Sequence, residues 1–455
     1  MTGPVPLTLS RRADLALDDP ALRSSVRNAT SVMGVGRLDA LARLENPDQL
    51  RDAARAARAS TLADLPRLLA TWADAFESRG GKVCWAKDAS EAVAYVLTVL
   101  KRHGATTVAK GKSMATEEIH LNAALGAAGI NVVETDLGEF IIQLAGETPS
   151  HLIAPAIHKN RFQVADLLSA DAGFDVPPAI DAEVAYARAR LRESFLSADV
   201  GITGVNFAVA EAGAICLVEN EGNGRLCTSL PRVHIAVMGM ERVVADWAEL
   251  DVMLSLLARS ATGQDLTVYT NILSGPRQPG EVDGPEQMHV IVLDNARSDI
   301  LGSEFQEALA CIRCGACLNT CPVYRNIGGH AYGSVYAGPI GAVLTPLLNQ
   351  HEPAARELAE ASSLCGACHD VCPVRIPLHD MLQQLRVRHV PQDAPRLRRA
   401  AFRLWSLLWS TRGGYRTSVW LARAALRLPA PRRGPGWAGA WLSSREAPRR
   451  KGRKL

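Results

Sequence analysis

Seven of the ten cysteines in this 455-residue chain fall into two short runs, and no other feature restricts the fold as strongly. The first run, Cys311-Ile-Arg-Cys314-Gly-Ala-Cys317-Leu-Asn-Thr-Cys321-Pro322, has the spacing C-x2-C-x2-C-x3-C-P. The second, Cys365-Gly-Ala-Cys368-His-Asp-Val-Cys372-Pro373, repeats it at a constant offset of 51 residues, except that Cys311 maps onto Ser362. Two-residue spacers let neighbouring sulfurs take adjacent corners of one iron–sulfur cube. The longer step before the final Cys-Pro turns that side chain toward a neighbouring cube. Cross-ligation then assigns Cys311, Cys314, Cys317 and Cys372 to one [4Fe–4S] cluster. Cys321, Cys365 and Cys368 go to a second, whose remaining iron is left to Ser362, to solvent or to no ligand. Structural zinc also uses C-x2-C pairs, but in tetrahedral sets of four. Disulfides suit an even count in a small secreted chain, and this chain is neither.

The length allows two or three domains, each with its own core. The N-terminal stretch has no apolar core of signal-peptide type, and no apolar run reaches the ~18–20 residues of a spanning helix. A cytoplasmic location is expected, with membrane association as the variant. The net charge of +3 hides an asymmetry: residues 396–455 contribute +15 and the remaining 395 residues −12.

Residues 1–47 show mixed helical and loop signals with little periodicity, whereas from Asp48 to about Phe76 Leu50, Ala54, Ala57, Leu62, Leu65 and Leu69 recur at helical spacing; residues 1–78 are expected as a helical N-terminal segment. From about Gly81 strands and helices alternate. Strands are expected at Lys82–Ala86, Thr106–Ala109, Asn131–Glu134, Ile202–Ala210, Ala214–Val218, Val233–Met238, Leu266–Asn271 and His289–Leu293. Helices are expected at Ser90–His103, Thr116–Ala128, Ala182–Ser197 and Glu241–Ser260. Such alternation implies a largely parallel sheet covered on both faces, here over residues 79–300. Ligands in such sheets bind beyond the strands' carboxyl ends. Three polar clusters follow strands there: Lys110-Gly-Lys112-Ser113, Glu211-Ala-Gly213, and Glu219-Asn-Glu-Gly222-Asn-Gly-Arg225. Lys112, Glu211 and Arg225 are the candidate substrate or anion residues, with Lys110 as a further cation; each cluster alone also reads as turns and caps. Cys84 and Cys216 sit in apolar strands, whereas Cys227 follows the glycine loop and could be exposed.

Residues 301–386 hold the cysteine runs and read as an all-α, two-cluster ferredoxin-type domain. His330 and His369 could ligate or hydrogen-bond near a cluster. Residues 387–455 are basic and tryptophan-rich (Trp405, Trp409, Trp420, Trp437, Trp441), with amphipathic helices followed by a disordered stretch from Pro429. An anionic membrane surface, an acidic partner protein and this protein's own acidic body are the readings of that tail; nucleic acid has charge in its favour but no motif.

Lys112-Ser-Met114, Glu134-Thr-Asp136-Leu-Gly-Glu139, Pro149-Ser-His151, His158-Lys159, Gly204-Val-Asn-Phe-Ala-Val-Ala-Glu211-Ala-Gly213 and Glu219-Asn-Glu-Gly222-Asn-Gly-Arg225 closely resemble the lactate utilization (LUD) domain. Joined to the cysteine runs and Cys321-Pro-Val-Tyr-Arg-Asn-Ile-Gly-Gly-His330, the chain resembles the iron–sulfur family of lactate utilization proteins B over about residues 30–400. The resemblance implies a ribose-5-phosphate isomerase/CoA-transferase-like, three-layer α/β fold. It also implies work with two companions, lactate utilization proteins A and C, in oxidising L-lactate to pyruvate. It carries over no catalytic residue. An electron-transfer subunit is the expected function, with an unidentified electron acceptor. The alternatives are an α/β domain that itself binds and oxidises the hydroxy acid, and a redox-sensing regulator.

Overall fold

Period-two apolar strands alternating with helices build a parallel sheet whose two faces are both buried. The strands are β1 (Lys82–Ala86), β2 (Thr107–Lys110), β3 (Asn131–Glu134), β4 (Val200–Gly204), β5 (Phe207–Val209), β6 (Ala214–Glu219), β7 (Val233–Gly239), β8 (Val243–Val244), β9 (Tyr269–Leu273) and β10 (Gln287–Leu293). Six of them form the sheet in the order β1-β10-β7-β4-β2-β3, every pair parallel. The computed structural model describes residues 7–393 and 396–425.

Alternation along β7 and β10 sorts side chains between two cores. Ile235, Val237, Ile291 and Leu293 meet Ala92, Val96 and Val99 of the helix Ala89–Arg102. Ala236, Met238, Val290 and Val292 join a larger core on the opposite face. That larger core also holds Trp72 and Phe76 of the helix Leu65–Glu77 and the interior of the cysteine-bearing module, so residues 7–387 form one compact unit. The apolar area shared across this joint is why the module does not hang from a linker.

A second sheet of four strands, β8-β5-β6-β9, is mixed and lies in the same core. The run Ile202–Ala210, expected as one strand, is divided between the two sheets. Asn206 breaks it: its side-chain Oδ1 accepts the Val218 N–H at 3.0 Å and its own N–H goes to the Cys216 carbonyl. Three further boundaries move. The stretch Thr116–Ala128 is two short helices, Met114–Glu118 and Leu121–Ala127, parted by His120 in the left-handed region (φ 51°). The helix expected from Glu241 starts at Trp247, where Asp246 Oδ1 caps the Glu249 N–H at 2.8 Å. Strand β9 begins at Tyr269, three residues later than the apolar run suggests.

The first 47 residues, irregular by periodicity, form the helices Leu9–Leu17 and Pro20–Ala42, the latter capped by Asp19 with Pro20 at its first position. They fasten the cysteine module: Arg12 Nε donates to the Ala331 carbonyl at 2.8 Å, Leu9 N–H to Glu357 at 2.9 Å, and Arg37 to the Val371 carbonyl at 3.1 Å. Residues from Arg388 onward make a second unit. Its helices Arg396–Trp409 and Arg412–Ala425 touch through Trp409 and Tyr415, whose ring centroids are 5.2 Å apart. Trp437, Trp441 and the stretch expected to be disordered from Pro429 lie outside the described residues.

Candidate iron–sulfur centres and an adjoining cavity

Short loops and one-turn helices, rather than long elements, carry the seven cysteines. Cys311, Cys314, Cys317 and Cys372 line one small apolar cavity together with Leu152, Ile340 and Ile376. Burial pushes the Cys314 thiol up, with Cys372 and Cys311 adding to it; burial does the same to Cys317, and Cys372 rises to about 11. Cys321, Cys365 and Cys368 influence one another instead: burial lifts Cys368 to about 12, with Cys321 and Cys365 reinforcing it. Thiols crowded and buried in this way resist ionisation until a cation shares their charge, which bound iron does. Backbone donors are already aimed at sulfur. The Arg313 N–H reaches Cys311 Sγ at 3.4 Å, Ile376 N–H reaches Cys372 Sγ at 3.4 Å and Tyr324 N–H reaches Cys321 Sγ at 3.5 Å. The donor set therefore fits two iron–sulfur clusters.

The sequence repeat is also a backbone repeat. Arg313 and Leu364, 51 residues apart, both have positive φ (61° and 56°). So do Gly315 and Gly366, at 76° and 81°. Positive φ is rare for residues with a side chain, so its recurrence at matched positions marks the same loop. In the second copy the Leu364 N–H donates to Ser362 Oγ at 3.0 Å, as Arg313 does to Cys311 in the first. Ser362 therefore occupies the place of the absent cysteine. The two copies differ in exposure: Cys314 and Cys317 are buried, whereas Cys365 is exposed, its thiol lowered by the Ala367 N–H and by Ser363.

Beside the first set lies a larger cavity of about 290 Å³ between the α/β domain and the cysteine module. Gly111, Lys112, Asn206, Glu219 and Arg242 line it from one side, Arg313 and Tyr336 from the other. Glu241, fully buried, pairs with Arg297 Nε at 2.7 Å and Arg313 Nη2 at 3.3 Å. Burial disfavours its charge, but Arg297, Arg242 and Arg313 outweigh that and hold it at about 2. Glu118 accepts both terminal nitrogens of Arg297 at 2.8 Å, Asn295 at 2.7 Å and the Tyr336 hydroxyl at 2.6 Å. The Arg313 guanidinium stacks on Tyr336, 4.6 Å from the ring centroid.

The three residues expected to take an anion do not converge. Lys112 lines the cavity and pairs with Glu139 at 3.4 Å. Glu211 is exposed and accepts the Trp247 N–H at a helix start; Arg225 is exposed, and its N–H donates to Glu219 at 2.7 Å. Neither lines the cavity. Lys110 is buried against Glu134 at 2.6 Å and Glu117 at 3.0 Å. The helix start after Lys112 is closed by Ser113, whose side chain accepts the Thr116 N–H. Cys227 is fully buried, its thiol raised to about 12 by burial and 3.4 Å from Thr135 Oγ1.

The motifs around His151, His158 and His330 prove to be the joint between domains. The Tyr324 hydroxyl donates to the Ser150 carbonyl at 2.7 Å, and a side chain at Gly329 would come within 1.9 Å of that same oxygen. His330 contacts the Thr148 carbonyl at 2.7 Å and packs on His158, ring centroids 4.5 Å apart. His369 rests against the Ile376 carbonyl at 3.1 Å. Sequence reasoning passes over Glu118, Glu241, Arg242, Arg297 and Tyr336, which are scattered singly. For Arg313 a signal exists, its position inside the first cysteine run.

Comparison with known proteins agrees with this division. The LUD domain family model matches residues 69–293 and the 4Fe-4S dicluster domain model residues 307–376. A protein of Escherichia coli K12 described as uncharacterized electron transport protein YkgF is 50% identical over 82% of this chain and 78% of its own. Lactate utilization protein B of Shouchella clausii shows the same identity and coverage. Lactate utilization protein B of Bacillus licheniformis is 45% identical over 96% of this chain and 93% of its own.

Proposed function

Because the chain belongs to the lactate utilization protein B family, with a LUD domain and a two-cluster [4Fe–4S] domain, we propose that it is the iron–sulfur electron-transfer subunit of a complex that oxidises L-lactate to pyruvate. The observation that carries this reading is the grouping of the thiols: four line one small cavity, Cys311 half-buried and the other three buried, while Cys321 and Cys365 act on Cys368 and of these three only Cys365 is exposed. In our reading Cys311, Cys314, Cys317 and Cys372 hold one cluster, and Cys321, Cys365 and Cys368 hold the other, with Ser362 at its fourth corner. When bound, these clusters supply one-electron transfer. The protein's own part is to aim N–H donors at sulfur, exclude water around the first set and leave Cys365 at the surface, where a partner can approach. Companion lactate utilization proteins A and C would be those partners, and the basic C-terminal helices a docking element for an anionic membrane surface. Among the described residues no helix is long and apolar enough to cross a membrane.

A second reading, in which the α/β domain takes the hydroxy acid itself, is favoured by the arginine-walled cavity beside the first cysteine set. Anaerobic purification tests the main reading. We expect about seven to eight irons per chain, absorbance near ~400 nm and a reducible EPR signal. Reconstitution with the companion proteins should then give lactate-dependent dye reduction that disappears when this chain is left out. Colourless protein carrying stoichiometric zinc, or dye reduction undiminished without the chain, overturns the proposal.

A further inference from the structure

Lys112, Arg242, Arg297 and Arg313 line the cavity between the domains together with Asp136, Glu219, Glu221 and Glu241, but the charges are unevenly placed: Asp136 and Glu219 act on Glu221, whereas Glu241 faces the three arginines. Behind that arginine end and outside the lining, Arg58 backs Glu241, and Glu118 pairs with Arg297 beside Glu241. Arg58 donates to the backbone carbonyls of Glu241, Val243 and Leu309. Arg297 is satisfied by both carboxylates. Arg242 and Arg313, which line the cavity from opposite sides of the joint, are not. Arg242 donates no hydrogen bond to any described residue, and its Nε stands 3.8 Å from Glu241 Oε1. Arg313 is 9% exposed, yet its Nε and Nη1 have no partner among the described residues. Buried guanidinium donors without acceptors are costly, and two side by side repel. Both defects are relieved by one anion held between them. Leu257, Ala258 and Ala261 add an apolar stretch to the wall.

We propose that this cavity binds a small carboxylate of the 2-hydroxy or 2-oxo acid class, its carboxylate held between Arg242 and Arg313 and its short carbon chain against Leu257 and Ala261. The inference rests on the second reading above and supplies its site. Guanidinium pairs match the planar carboxylate, and the apolar wall suits a methyl or short alkyl group better than a fully hydrated phosphate. Arg313 also ties the site to the cysteines, because its own N–H donates to Cys311 Sγ at 3.4 Å. A ligand that draws on the Arg313 side chain therefore acts on a loop that bears cluster sulfur.

The test uses the anaerobically purified, iron-loaded full chain, with L-lactate, pyruvate and inorganic phosphate as probes in calorimetry and in EPR of the reduced protein. We expect saturable binding of lactate and pyruvate, a change in the EPR line shape on binding, and no competition by phosphate. Arg242→Lys and Arg313→Lys keep the charge but lose the fork, and each should weaken binding about tenfold or more. Ala258→Leu fills the cavity without touching a cysteine or a guanidinium and should abolish binding at unchanged iron content. If Arg313→Lys loses iron, the Arg242 and Ala258 variants decide. Absence of binding by the loaded parent, binding unchanged in both of those variants, or equal binding of phosphate would each overturn the proposal. None of these results alters the iron content or the reducible EPR signal on which the electron-transfer reading stands.

Discussion

Replacing Glu118 by glutamine should loosen the joint between the α/β domain and the cysteine module, although residue 118 touches no cysteine. Its carboxylate accepts two bonds from Arg297 at 2.8 Å, one from Asn295 at 2.7 Å and one from the Tyr336 hydroxyl at 2.6 Å. Burial opposes its charge, but Arg297, Tyr336 and Asn295 keep it ionised below the usual carboxylate range. Removing one partner of a buried ion pair costs about 3–5 kcal/mol. Arg297 retains Glu241 at 2.7 Å, so the lower end, about 3 kcal/mol, is expected for Glu118→Gln. Tyr336→Phe removes one bond to a charged acceptor and should cost about 1.5–3 kcal/mol. Because the two changes share that bond, the double variant should be less destabilised than the sum by about 1.5 kcal/mol. Anaerobic urea unfolding, followed at once by cluster absorbance and tryptophan fluorescence, measures all four proteins. A Glu118→Gln protein within about 1 kcal/mol of the parent, or strict additivity in the double variant, would refute the view that this carboxylate pins the module.

Three further outcomes follow from the same geometry. Ser362→Cys should raise iron from about seven to about eight per chain and convert a [3Fe–4S]-type EPR signal to a [4Fe–4S] one; an unchanged spectrum would mean that position 362 does not face the second cluster. His234, buried in β7, is lowered to about 3 by burial and then by His289, so its neutral form stabilises the fold above pH ~6.5. That stability is lost as pH falls toward 3, about 2–3 kcal/mol of it by pH ~4.5. His234→Gln should flatten this acid limb in urea midpoints measured at the two pH values, and an identical slope would count against the assignment. The full chain should sediment with anionic vesicles, less so at high salt, whereas a chain ending at Val387 should not; equal binding to neutral vesicles would remove the electrostatic reading of the tail.

Local covalent logic was open to reading in one dimension. A thiolate run with fixed spacers can fold around a cube without help from distant residues, so the two-cluster domain and the odd place of Ser362 were visible before any contact was known. Strand alternation from Lys82 to Leu293 likewise announced a parallel sheet, because side-chain period and burial are tied together. What only the tertiary structure decided is how these parts meet. Asn206 divides one apolar run between two sheets through a bond to Val218, a residue that spacing does not connect to it. Lys110, a plausible anion ligand by its place after a strand, is diverted by Glu134, which the fold delivers from the neighbouring strand, and Arg225 is left exposed outside the cavity lining. The positive wall of the cavity gathers Arg242, Arg297 and Arg313 from three separate segments. Spacing encodes what a loop can hold. Electrostatics at a joint depends on which distant charges packing brings within a few ångströms, and no local pattern records that.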